Sequence, residues 1–233
     1  MVRFLKLLAG LGLLPVCVAA TWSVVRLVQS IQPPAAGQVP AAAAWLVGGF
    51  LLWLFLFFVT PRPVRTYVLA HELTHALWGW VMGARVSRLR VSARGGSVHV
   101  SKNNFLISLA PYFFPLYTVL AIAAYYLLSV FFDLRAYEPF WLAVVGFTWC
   151  FHLTFTATTL LQHQPDIRQN GRLFSYALIY LMNVLGIGLW IVLVASPTLQ
   201  GFASLLVDES ARAWQLCAGG AARTWAAARS RYL

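Results

Sequence analysis

The sequence predicts an all-α polytopic membrane protein of about six transmembrane helices, with a small β-hairpin after the third. Three observations carry this. Of 233 residues, 61% are hydrophobic and 10% charged, whereas a typical soluble domain carries roughly 25% charged residues. Apolar runs near the roughly 18 to 20 residues needed to cross a bilayer recur along the chain, separated by short polar connections. One segment, 84–103, departs from this and alternates apolar with polar residues around Gly95-Gly96.

The first predicted span covers 4–28 and opens on Met1-Val2-Arg3 and Lys6. It reads as a retained anchor or as a signal peptide cleaved after Val18-Ala19-Ala20. Apolar character running past Ala20 to Val28 favours the anchor. Residues 31–40 hold Pro33, Pro34 and Pro40 and no charge, which suits a loop. The second span is 41–59. Pro61-Arg62-Pro63 then ends one helix and starts the next, because proline breaks a helix interior but fits its first turn. The third span is 66–83.

Val86, Leu89, Val91, Val98 and Val100 give the hairpin its period of two. A fourth span, 104–132, contains Pro111 and Pro115, which predict a kink able to turn backbone carbonyls toward a cavity. The fifth and sixth spans are 139–161 and 173–196. The remainder, 197–233, is too rich in charge to cross and reads as a basic amphipathic tail along the headgroups. The predicted organisation is an N-terminal helical region (1–60), a membrane core (61–196) and this tail.

Charge and cysteines narrow the function classes. The net charge of +11 is spread over many loops, so anionic lipid is a better partner than nucleic acid. Cys17, Cys150 and Cys217 are sparse and odd in number, which argues against a disulfide framework or a thiolate metal site.

Chemistry is concentrated at His71-Glu72-Leu73-Thr74-His75. Residues four apart on a helix project from nearly the same face, about 6 Å apart along the axis, so two imidazoles reach one zinc ion. Glu72, one position on, reaches a water at the metal without being a ligand and serves as base and then acid. The pattern arises by chance in about 1 in 100 chains of this length. Two imidazoles and a carboxylate in an apolar helix are costly unless paired or metal-bound.

The stretch His71 to Gly83, followed by Ala84-Arg85-Val86, resembles the motif helix and Gly-rich strand of the membrane-embedded site-2 protease-like zinc metallopeptidases. In that resemblance 86–101 corresponds to a membrane-associated β-hairpin and Leu109-Ala110-Pro111 to the small-residue and proline stretch after it. The likeness extends loosely to about residue 188.

A catalytic zinc takes three protein ligands, and residues 76–132 contain no carboxylate. The remaining candidates are Asp133, Glu138, His152, His163, Asp166, Asp208 and Glu209. His152 lies near the middle of the fifth span, at the depth expected of His71 and His75, as a ligand or as a partner of a neighbouring helix. Asp166, in Gln164-Pro165-Asp166-Ile167, is similar to the family's third-ligand segment, and the resemblance places it first. Asn183 is read as an interhelical hydrogen bond or a substrate contact. Lys and Arg counts do not decide the orientation; the resemblance puts the hairpin on the cytosolic side.

The expectation is a multi-pass protein of the cell inner or plasma membrane that uses Zn2+ to hydrolyse membrane protein or peptide substrates, with His71, His75 and Asp166 as ligands and Glu72 catalytic. Substrate would add as an extended strand to the hairpin. The second expectation is an inactive relative that binds a partner or relays ions or protons.

Overall fold

A computed structural model describes residues 2–31, 41–195 and 197–229. Most of the predicted loop at 31–40 and the last four residues of the tail lie outside these. The chain divides into two compact units, Met1–Pro33 with Asn170–Leu233, and Pro34–Gln169.

In the first unit α1 (Val2–Gln29) packs on α8 (Arg172–Val194) and α9 (Leu199–Arg229). Cys17 and Ala20 meet Ala177 and Leu181 in its core. The Cys17 thiol donates to the Ala177 carbonyl (3.3 Å), and buried Ser23 donates to the carbonyl of Ala19 one turn back (2.8 Å), so the polar groups of this apolar interface are satisfied. Arg26 meets Glu209 at 2.8 Å, and Arg212 meets the same carboxylate at 3.2 Å.

The second unit is built on α2 (Ala41–Val59) and α6 (Glu138–Leu160). These two helices approach so closely that a side chain at Gly49 would collide with the Ala143 carbonyl, and one at Gly146 with that of Leu46. Small residues permit this backbone contact between apolar helices. Beyond the crossing, Trp53 and Phe57 of α2 pack on Phe151 and Phe155 of α6. Tyr67 and Val68 of α3 (Val64–Val81) complete that cluster, with Tyr67 stacked on Phe155 at 4.8 Å. The motif helix is thereby fixed to a rigid aromatic base.

Among the described residues, four helices are long and apolar enough to cross a membrane: Arg3–Gln29, Ala41–Val59, Arg135–Leu160 and Arg172–Leu193. They match the first, second, fifth and sixth predicted spans and are compatible with a multi-pass membrane protein. The predicted span at 66–83 is not among them: His71, Glu72, Thr74 and His75 lower the apolar content of α3 too far. The predicted span at 104–132 is two pieces bent by 81°, α4 (Phe105–Leu109) running through a 3-10 turn (Ala110–Tyr112), then α5 (Leu116–Ser129). Pro111 and Pro115, which lack an N–H, break the helix instead of kinking it. The bent pair would make a fifth crossing if it counts as one.

The hairpin is present, with β1 (Val86–Ser92) antiparallel to β2 (Gly95–Val100) and a bulge between Ser87 and Arg90 where Arg88 has φ 54°. Its turn lies at Ala93-Arg94, so Gly95-Gly96 opens the second strand rather than forming the bend. The hairpin folds back along α3: a Cβ on Gly79 would stand 2.6 Å from Val100 Cγ1, and one on Gly96 2.6 Å from Glu72 Cγ and 2.7 Å from Val68 Cγ1. Gly96 is needed where the strand backbone presses against the motif helix. Asn104 caps α4, its side chain accepting from the Ile107 N–H (2.9 Å).

Candidate metal centre

Three ligand atoms, one each from His71, His75 and Asp166, lie within 4.8 Å of one another. The histidines come from adjacent turns of α3, with ring centroids 4.9 Å apart. Asp166 arrives on a short helix, α7 (Pro165–Asn170), which Pro165 opens and in whose first turn the aspartate lies. Its Oδ2 stands 3.8 Å from His71 Nε2 and 3.7 Å from His75 Nε2. Tetrahedral zinc with bonds of about 2.0–2.1 Å separates its ligand atoms by about 3.3 Å. In a zinc site the two aspartate–imidazole separations would each shorten by about half an ångström, and the third pair of ligand atoms lies within 4.8 Å.

The broken helix orients one ligand. In a continuous helix the Ile107 carbonyl would accept from the N–H four residues on, but that residue is Pro111. The carbonyl instead lies 2.8 Å from His75 Nδ1. A carbonyl only accepts, so Nδ1 carries a proton, which leaves Nε2, on the Asp166 side, as the atom that would ligate a metal, the arrangement metal-bound histidines use. His71 is held by neighbouring rings: the Tyr67 hydroxyl is 3.5 Å from its Nδ1, and Tyr112 packs edge-on at 5.3 Å.

Tyr112, fully buried in the 3-10 turn, donates its hydroxyl to Asp166 Oδ2 at 3.1 Å. Sequence reasoning missed this residue. Its only signal was its place immediately after Leu109-Ala110-Pro111. Burial alone would push the Asp166 carboxyl up, but the His71 and His75 imidazoles outweigh burial and hold it well below the usual carboxylate range. Asp166 is therefore the anionic member of the set.

Glu72 is buried, faces the backbone of Val98 on β2, and lines a cavity of about 390 Å³ together with His71, His75, Asp166, His99 and Asn103. It is outside the ligand triangle yet shares its cavity, the placement expected of a base beside a metal. His99, on β2, reaches this cavity because the hairpin folds back along α3.

The other sequence candidates fall elsewhere. His152 is buried on α6 and contributes no atom to the ligand cluster; its Nε2 has no hydrogen-bond partner among the described residues. Asn183 lies in the first unit and donates to Ile179 within its own helix (2.8 Å). Asp133 pairs with Arg135 at the surface, and Glu209 with Arg26 and Arg212.

In comparison with known proteins, no family profile, curated protein or solved structure matches this chain.

Proposed function

We propose that this chain is a zinc-dependent peptidase of the site-2 protease-like kind, acting on membrane-associated polypeptides from the cell inner or plasma membrane. The observation that carries the reading is the convergence of His71, His75 and Asp166 around one point, with Glu72 on the wall of the same cavity. When bound, zinc supplies a Lewis acid that polarises a carbonyl and lowers the pKa of water.

The chain's own residues divide the remaining work. Glu72 accepts a proton from the attacking water and returns it to the leaving amine. Asp166 supplies the negative charge that favours a cation, and Tyr112 fixes its orientation. Residues 96–100 of β2 line the cavity, and among the described residues the outer edge of β2 has no strand partner. An extended substrate segment pairing there presents its peptide bonds to Glu72, whereas a helix hides them.

The test is Glu72→Gln with a cleavable membrane-protein substrate. Turnover should fall by about 10²–10⁴-fold, the share general acid–base catalysis contributes, while bound zinc is retained. Unchanged turnover would remove Glu72 from the mechanism.

A further inference from the structure

Glu72 is reached from two sides. A second cavity of about 420 Å³ shares His71, Glu72, Gly96 and Gln164 with the first and extends toward the start of α3, where Arg62, Arg94 and Thr158 line it. Gly96 packs directly on Glu72 at this junction, where a Cβ would stand 2.6 Å from Glu72 Cγ, so a chain running from one cavity to the other passes beside that contact, along His71 and Gln164.

The two arginines of this second cavity have no ion-pair partner among the described residues. The sequence leaves none to spare. Between residues 34 and 169 the only carboxylates are Glu72, Asp133, Glu138 and Asp166. Glu72 and Asp166 belong to the metal centre. Asp133 and Glu138 lie at the far end of α6 from Thr158, about 30 Å away by helix rise. The Arg62 guanidinium is nonetheless held, its Cζ 4.4 Å over the Phe57 ring, and the backbone that carries Arg94 is pinned by Ser92, whose hydroxyl accepts the Arg94 backbone N–H (3.2 Å) and donates to the Gly95 carbonyl (2.7 Å). Placed cations lining a cavity that opens on a reaction site are built for an anionic part of whatever enters.

We propose that the second cavity is a carboxylate subsite, in which Arg62 and Arg94 bind an acidic group of the polypeptide that extends past Glu72. This rests on the peptidase reading for the identity of the occupant. Glu72 lies eight residues beyond Val64, about 12 Å along α3. An extended chain covers that distance in roughly four residues. The acidic group therefore falls about four residues from the bond presented to Glu72, as an Asp or Glu side chain or as the chain's terminal carboxylate.

The experiment uses the full chain in detergent, loaded with zinc. Fluorophore-labelled twelve-residue peptides with an apolar centre carry three Asp, three Asn or three Lys at one end, each made with an amidated or a free C-terminus. Binding is read by anisotropy to the Glu72→Gln protein, and cleavage separately with the unsubstituted protein. The Asp peptide should bind at least tenfold more tightly than the Asn peptide, and the Lys peptide more weakly than either. Arg94→Gln, on an exposed turn, should lower the preference, and Arg62→Gln with Arg94→Gln should abolish it. Arg62→Lys controls for packing on Phe57 and should keep most of the preference. A gain confined to the free C-terminus assigns the subsite to a chain end; a gain for Asp in amidated peptides assigns it to a side chain. Equal binding of Asp and Asn peptides with either terminus, or a preference that survives the double substitution, overturns the subsite. Charge-dependent binding without cleavage removes the peptidase reading and leaves the subsite; cleavage without charge preference does the reverse.

Discussion

Each of the two units shields a carboxylate, and they are neutralised by opposite means. Glu209 in the first unit lies between two guanidiniums, Arg26 and Arg212. Asp166 in the second faces two imidazoles and a phenol. Arginine is a permanent cation, so the Glu209 cluster is complete without help. His71, His75 and the anionic Asp166 instead converge on a common point, each offering one ligand atom there. The first arrangement ties α1 to α9; the second groups three side chains able to ligate a metal. The partners of a shielded carboxylate, more than its burial, separate structure from chemistry.

Substitutions in the two carboxylates break this comparison most directly. Asp166→Ala should reduce bound zinc from one per chain to a small fraction, measured by metal analysis of purified protein. Glu209→Ala should leave zinc unchanged and lower thermal stability slightly, by about 1 kcal/mol, since the exposed Arg26 and Arg212 rehydrate. Tyr112→Phe sharpens the same contrast one shell out: loss of the hydroxyl donated to Asp166 should weaken zinc by about 10–100-fold in a chelator competition. Gly96→Ala tests the hairpin. The added carbon meets Glu72 Cγ at 2.6 Å and the Arg90 carbonyl oxygen at 2.9 Å, so turnover should fall about tenfold through misplacement of the base while zinc stays bound. The smallest effect is expected at His152→Ala, where zinc stoichiometry should not change; metal loss there would make His152 a ligand.

What the sequence disclosed followed from range. His71, Glu72 and His75 are legible because their geometry is set by one helix, and α1, α2, α6 and α8 because apolar length is a local property. The same rule misled at α3, where a chemically loaded helix between apolar neighbours reads as a sixth crossing. Pro111 signalled a disturbed helix, but not that the carbonyl it releases at Ile107 would orient His75 across 32 residues. The return of the hairpin along α3 was hidden for the same reason: period-two alternation specifies a strand and says nothing of what the strand covers. Gly96 was the available clue, since a glycine inside a strand often marks a close backbone approach.

The most direct measurement is the zinc content of the purified, folded chain in detergent after exposure to zinc and removal of the excess. The account predicts one zinc per chain, lost on Asp166→Ala and retained on Glu209→Ala. A folded protein that holds no zinc, or holds it equally well without Asp166, would contradict the assignment of this cluster as a metal centre.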